Sequence, residues 1–450
     1  ACNNGTVQNK EMADRVFLQS VSPLDTADNN TATVVFAYDD IYSVKYFGEP
    51  LRAYWKRDGK TTEKIIEEAF SKYGNFKSRC DEFDINLCKS AADAGGEKYA
   101  QLLRLSVRQI MAACKLVVKN NGEILYITKE CLSNGCAATV DVAYPTLPFF
   151  LLYNPVLAEA IVRPAYEYVK SGKWPYKFAP HDLGTYPILN GQVYGNGFKM
   201  SMQMPVEECG NMIILIDAVC RREKNYSLAN DNIRLLKLWS KYIEKYGEDP
   251  GNQLCTDDFS GHMPHNVNLS IKAVMGLIGF SDILRALGDT NEAERIEKVA
   301  RKYADSACVR AKDNNGGYRL AFDRAGTFSL KYNAVWDKLW NSNVFTAEFY
   351  QTEIDKYKEK SLPYGIPLDS REKYTKSDWE IWAACFSEYK EEFEQFVHSV
   401  YAAFDTMHTR VPMTDWYYAD TSNMVTAIRN RSVRGGLFMK LIFEKMVEQS

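Results

Sequence analysis

No stretch of this chain approaches the ~18 to 20 consecutive apolar residues that a membrane-spanning helix requires. The longest candidates, LPFFLLY at 147–153 and MIILIDAV at 212–219, are far shorter, so the sequence reads as soluble with no membrane span. Dense basic runs are missing as well: 55 Lys plus Arg stand against 58 Asp plus Glu, for a net charge of -3. Without a phosphate-tracking surface, nucleic acid is not an expected partner. The 11 cysteines form no CxxC pair and are spread from Cys2 to Cys385. That excludes the dense disulfide framework of a small secreted domain and leaves most of them as buried thiols. The opening ACNNGTVQNKEMADRV is polar and carries no signal peptide, so it gives no compartment. A G-x-S-x-G elbow, a P-loop, a Rossmann fingerprint and a zinc motif are equally absent, and no cofactor or metal is expected.

What the chain does have is bulk and aromaticity. Its 450 residues, 46% of them apolar, suffice for one large domain or two to three ordinary ones. The 28 Tyr and 8 Trp suit a cleft that stacks sugar rings or flat polar ligands, and equally a Tyr-rich core.

Residues 1–32, rich in Asn, Asp and Thr, read as a leader or the tail of an upstream domain, and 33–450 as one helical domain. Segment 33–48 fits a strand or the start of a helix. The helical period begins near residue 97, where Tyr99, Leu102, Leu103, Val107, Ile110 and Met111 share a stripe of a helix over 97–119. Further helices are expected over 154–170, 206–224, 227–246, 266–287, 291–311, 344–359, 375–388, 389–407 and 424–447. Breaks within pairs are short, as antiparallel helix hairpins need, while the connections between pairs are long and carry most of the Gly, Pro, Trp and acidic residues. That alternation predicts a mainly α closed toroid of helical hairpins, its long loops meeting over one mouth; no fixed-period repeat favours an open solenoid. Segments 124–128 and 317–323 read as small accessory β-hairpins.

Four loops concentrate the polar chemistry. FAPHDLGTYP at 178–187 places His181 and Asp182 beside Tyr186, with helix capping as the plain role for the Asp. MPVEECGNM at 204–212 puts Glu207 and Glu208 in the opening turn of an apolar helix, where acids complement the helix dipole; adjacent positions point ~100° apart, so only one faces a cleft. LCTDDFSGHMPHN at 254–266 carries Asp257, Asp258, His262 and His265. The spacing of His262 and His265 fits neither HExxH nor a two-Cys, two-His finger, so zinc is not expected from this loop, while its carboxylates could hold calcium. PYGIPLDSREKYTKSDWEIW at 363–382 crowds Asp369, Arg371, Tyr374, Lys376, Asp378 and Trp379 together, with Thr375 or Ser377 as a helix cap. Trp336, in KYNAVWDKLW at 331–340, lines the same mouth or packs inward. Carboxylates on separate loops make acid–base hydrolysis the natural reaction, with one pKa raised by burial and the other group ionised.

At these segments the sequence resembles the glutaminase A family: MPVEECGNM, NQLCTDDFSGHMPHN, YGIPLDSREKYTKSDWEIW and DAGGEKYAQLLRLSVRQ at 93–109. NGCAATVDVAYPTLPFFLLYNP at 134–155, APHDLGTYP and YRLAFDRAGTFSLKYNAVWDKLW extend the likeness over roughly residues 35–440. The resemblance implies an (α/α)6 toroid similar to the six-hairpin glycosidases, a longer chain with β-rich domains upstream, and export to the periplasm or outside the cell. It also implies glutamine deamidation, although the matched residues form no obvious amidase nucleophile; Cys209 is the thiol of the MPVEECGNM motif.

The expectation is therefore a hydrolase acting on a small polar molecule. Glu207 or Glu208, Asp257 or Asp258, and Asp369 or Asp378 would supply acid, base and substrate contacts, with His181, Asp182, Tyr186, His262, Tyr374, Lys376, Trp379 and Trp336 lining the mouth. Arg371 is the one motif-borne candidate for a substrate α-carboxylate. A glycoside hydrolase using the same carboxylates, ~6.5 to 9.5 Å apart for inversion or ~5 to 5.5 Å for retention, is the alternative, and a non-catalytic glycan-binding domain the second.

Overall fold

The structure is a computed structural model describing residues 6–12, 15–21, 35, 37–255, 261–426 and 428–447. Its helices are α1 (Thr62–Ser71), α2 (Tyr73–Ala112), α3 (Val140–Tyr153), α4 (Pro155–Lys170), α5 (Pro205–Glu223), α6 (Ser227–Asp231), α7 (Ile233–Tyr246), α8 (Val267–Ala286), α9 (Thr290–Ala311), α10 (Val335–Trp340), α11 (Ala347–Lys360), α12 (Ser377–Ala384), α13 (Lys390–Thr406) and α14 (Met439–Val447).

Six elements close an inner ring. α3 packs on α5, α5 on α8, and α8 on the 3-10 turn Tyr332–Ala334 that leads into α10; that turn packs on α12, α12 on the 3-10 segment Ser432–Phe438, and that segment back on α3. The outer layer is amphipathic in the ordinary way: α7 buries Leu236, Trp239, Ser240 and Ile243, a stripe spaced three and four, against α5 and α8. Inner helices are apolar nearly all round. α8 is long and apolar enough to cross a membrane by length and composition, yet 94% of that window is buried, so it reads as the core helix of the ring.

The described strands form four small sheets. β1 (Thr6–Met12) and β2 (Arg15–Val21) form an antiparallel hairpin. β3 (Val44–Tyr46), β4 (Glu49–Ala53), β5 (Cys114–Val118), β6 (Ile124–Thr128) and β7 (Ile188–Leu189) make a sheet in the order β6-β5-β4-β3-β7, with only β3 and β7 parallel. β8 (Lys312–Asp313) pairs with β9 (Gly317–Tyr318), and β10 (Tyr374–Lys376) with β11 (Trp416–Tyr418) in a register that sets Lys376 opposite Trp416.

The pairing of helices from 154 onward agrees with the sequence pattern, but several boundaries do not. Helix begins well before residue 97, because α1 and the first half of α2 precede it; Gly95 and Gly96 (φ 82°) break α2 where a Cβ on Gly95 would stand 2.5 Å from the Phe393 ring of α13. The helix expected to 119 stops at Ala112, and β-branched Val117 and Val118 go into β5 instead. α3 was hidden by Pro145 and Pro148, which its surroundings tolerate because 12 of its 14 residues are buried. Helix over 375–388 is confined to α12, and over 424–447 only α14 is α-helical, preceded by the 3-10 segment. Segment 317–323 is strand only at Gly317–Tyr318, and 33–48 contributes β3. No disulfide joins the ten described cysteines, six of which are buried.

Candidate active site

The inner elements bring their N-terminal ends to one mouth. Asp141 lies in the first turn of α3, Glu207 and Glu208 in that of α5, and Asp378 in that of α12. Each helix start presents unpaired N–H groups and a partial positive charge, so a carboxylate there is stabilised by its own helix. α8 enters with Asn266, whose side chain accepts the Leu269 N–H, and carries Lys272 six residues further on. α5 has Pro205 at its start and no side-chain cap of its own; Gln253 accepts the Val206 N–H in its place.

On the α3–α5 side the central group is His181. Its Nδ1 lies 3.0 Å from Asp182 and its Nε2 3.7 Å from Asp141, while the ring stacks on Tyr194 with centroids 4.1 Å apart. Asp182 is wholly buried and saturated: it also accepts the backbone N–H groups of Gly184, Val193 and Tyr194. It fixes the loop and the imidazole rather than capping a helix. Burial opposes charge on His181, but Asp141, Asp182 and Glu208 around it push its pKa up to about 10. Burial raises Asp141 and, more strongly, Glu208, each helped by neighbouring carboxylates and opposed by His181. Glu208 Oε2 accepts from Asn211 at 3.1 Å, whereas Glu208 Oε1 and Asp141 Oδ1 have no hydrogen-bond partner. Only Asp141, 15% exposed, opens to solvent among these carboxylates. Glu207 turns the other way, 2.7 Å from Lys272 Nζ in a fully buried pair whose ammonium also sits 3.6 Å above the Tyr144 ring.

On the α12 side Asp378 is wholly buried and neither carboxylate oxygen has a hydrogen-bond partner. Lys376 Nζ lies 3.8 Å away and is 3.4 Å from Asp415, which in turn pairs with Arg431. Arg431 also reaches Glu130 at 3.2 Å. Burial raises Asp378, Lys376 restrains it and Asp415 raises it again, leaving it at about 6. Although burial would raise Asp415 too, Arg431 and Lys376 hold it down at about 2. The two neighbouring carboxylates are thus split, one poised to take a proton and one permanently charged. Arg431 bears on both walls, lowering Asp141 as well as Asp378.

An aromatic floor separates this mouth from the rest of the ring. Tyr332 stacks on Trp379 at 4.0 Å, and Tyr144 takes a hydrogen bond from Trp336 and meets Trp382 edge-on at 5.1 Å. These rings are fully buried, so Trp336 and Trp379 serve as floor and not as open platforms.

Among the residues singled out from sequence, Glu207, Glu208, His181, Asp182, Lys376, Asp378, Trp336 and Trp379 meet at this mouth or on its floor. Asp257 and Asp258 lie outside the described residues; their flanks, Gln253 and Asn266, are anchored at the starts of α5 and α8. Asp369 and Arg371 do not join. They form a two-contact ion pair with each other, 2.9 and 2.6 Å, beside a surface pocket lined by Phe328, Lys373, Tyr418 and Asp420, so Arg371 is engaged within its own loop. Tyr374 packs edge-on against Trp416, Tyr186 lies beneath Lys129, and His262 is half-buried. Neither Thr375 nor Ser377 caps α12: its N-cap is Lys376, and the Ser377 hydroxyl accepts from Arg434. Sequence reasoning missed Asp141, Lys272, Asp415, Arg431 and Glu130. Asp141 obeys the same first-turn rule that exposed Glu208, but inside a helix disguised by proline.

Known proteins resemble this chain in both sequence and fold. Residues 96–441 match the glutaminase A six helical-hairpin domain, and residues 3–90 match a domain of unknown function. Glutaminase A of Aspergillus oryzae is 30% identical over 438 residues, 95% of this chain and 62% of that protein. A "Probable glutaminase" of Arthroderma benhamiae is 25% identical over 446 residues, 80% of this chain and 51% of that one. The chain therefore spans between half and two thirds of these relatives' length. Among solved structures, an alpha mannosidase of Streptococcus pneumoniae, from a family described as metal-independent, matches with a TM-score of 0.57 at 11% identity, over 82% of this chain and 98% of that one. A bacterial glucoamylase bound to acarbose gives 0.50 at 11% identity, over 87% and 62%.

Proposed function

The chain belongs to the glutaminase A six-helical-hairpin family, and on that premise we propose that it is a hydrolase using carboxyl acid–base chemistry to deamidate L-glutamine or a similar small polar amide. One observation carries this reading: Asp378, at the first turn of an inner helix, has two carboxylate oxygens without a hydrogen-bond partner, Lys376 Nζ 3.8 Å away, and a pKa raised by burial to about 6. A group of that kind is ionised at neutral pH yet basic enough to accept a proton from water. In this reaction Asp378 takes a proton as the water oxygen bonds to the amide carbon. It then returns the proton to the departing nitrogen as the C–N bond breaks, leaving a carboxylic acid and ammonia. Asp415, held ionised by Arg431 and Lys376, keeps Asp378 from becoming too weak a base. The Asp141–His181–Glu208 wall binds the polar substrate from the other side.

Cysteine chemistry is not favoured. The Cys209 thiol is buried, and burial pushes its pKa upward, away from the thiolate a nucleophile needs.

A second reading, hydrolysis of a glycosidic bond, draws support from carboxyl groups on two facing walls, the arrangement such reactions employ. Incubation with L-glutamine and with a glycan panel, following ammonia and reducing sugar together, separates the two. Ammonia from glutamine that Asp378→Asn abolishes supports the amide reading. Reducing sugar without ammonia overturns it in favour of the glycoside reading, and silence in both assays overturns the hydrolase.

A further inference from the structure

We propose that Asp141, His181 and Glu208 form a binding site for one divalent transition-metal cation, of the zinc or manganese class. One donor atom from each residue lies within 4.8 Å of the other two. The three come from different elements, the first turn of α3, the loop before β7 and the first turn of α5, so no sequence spacing betrays them.

Three features separate this trio from an ordinary acidic cluster. First, the inward carboxylate oxygens lack hydrogen-bond donors: Glu208 Oε1 belongs to a side chain only 1% exposed and has none, and Asp141 Oδ1 has none and faces only His181 Nε2, 3.7 Å away. Converging buried oxygens without donors are costly unless a cation stands between them. Second, the outward-facing atoms of two members are fully held. Asp182 accepts from His181 Nδ1 at 3.0 Å, so a cation that displaces the other ring proton meets Nε2, which lies 3.7 Å from Asp141, and Asn211 donates to Glu208 Oε2 at 3.1 Å. A carboxylate behind a histidine and an amide behind a carboxylate are the outer partners that metal ligands generally have. Third, the trio is chosen over its neighbour: Cys136, His181 and Asp182 also converge, but both Asp182 oxygens are already filled by backbone N–H groups.

One imidazole and two carboxylates, with no thiolate, suit borderline to hard divalent ions, and three protein ligands leave a position open for water or a substrate oxygen. The likeness to a metal-independent mannosidase is one of fold at 11% identity and does not bear on these three side chains.

The test is titration of chelator-treated protein with Zn2+ and Mn2+ by calorimetry, with Co2+ absorption as a report on ligand geometry. The expected result is one ion per chain, with affinity falling at least ~10-fold in Asp141→Asn and in Glu208→Gln while Asp369→Asn binds as the parent does. No uptake, or uptake equal in parent and both ligand variants, overturns the site. Should the variants fail to fold, the parent decides alone. A higher melting temperature with metal and a low-symmetry Co2+ spectrum support the site; neither change refutes it. Ammonia release that persists after metal removal leaves the hydrolase reading intact, so the two ideas fail separately.

Discussion

Glu208 and Asp378 both lie in the first turn of their helices, α5 and α12, and the order of packing around the inner ring places those two helices three steps apart in a cycle of six, facing each other. Residues 170 positions apart in sequence (378 minus 208) are thus brought to opposite walls of one mouth by helix order alone. Their surroundings differ in a useful way: Glu208 has its outer oxygen tied to Asn211, whereas both oxygens of Asp378 stand without donors.

Asp378→Asn keeps shape and removes the base. The expected outcome is a fall in kcat of roughly 10²- to 10⁴-fold with unchanged melting behaviour. On the proposed reaction, kcat/KM of the parent protein is expected to fall as pH drops through about 6, because protonation of Asp378 removes the acceptor. A pH–rate profile without a limb near that value counts against Asp378 as the base.

The Lys272–Glu207 pair is 2.7 Å long and buried on both sides. Removing only the cation, as in Lys272→Met, strands a buried carboxylate and costs about 3 to 5 kcal/mol. Urea unfolding measures this, and the double variant with Glu207→Gln recovers much of the loss if the pair acts as a unit.

Glu380 gives stability a pH dependence of its own. Burial raises its pKa to about 8, against hydrogen bonds from the Ile366 N–H and the Tyr417 hydroxyl. The folded chain therefore keeps a proton that the unfolded chain releases above the ordinary 4.5, and stability declines as pH rises from there to about 8. Glu380→Gln flattens that decline in a series of thermal melts; an unaltered slope argues that Glu380 is ionised in the fold.

Arg371 is bound to Asp369 two residues away and stands apart from the mouth. Arg371→Ala is expected to leave KM for glutamine within about twofold while loosening the 366–373 loop to proteolysis. A large rise in KM with unchanged kcat would restore Arg371 as the group that holds the substrate carboxylate.

The legible part of the fold was its outer layer and its paired helices. Stripes such as Leu236, Trp239 and Ile243 announce themselves through spacing, whereas α3 is buried all round and interrupted by Pro145 and Pro148, so neither period nor propensity marks it. Glu208 and Asp378 were legible because acids at helix starts have a physical reason to be there. Asp415 and Arg431 were not, for they lie in irregular chain: the β10–β11 pairing sets Asp415 beside Lys376, and Arg431 joins them through its ion pair with Asp415. Asp369 and Arg371 misled for the converse reason. A dense polar loop looks reactive in one dimension, and only three dimensions reveal that its charges satisfy one another.

The inner ring closes through contact between α3 and Ser432–Phe438, joined by the hydroxyl–hydroxyl bond of Thr146 and Ser432, which lie 286 positions apart in the chain. During synthesis the earlier hairpins emerge one after another with an apolar flank still bare, and the mouth lacks a wall until that late segment docks. Maturation of the site is therefore coupled to completion of translation of this region, and chains stalled short of Ser432 would present the sticky interior on which chaperones and proteases act.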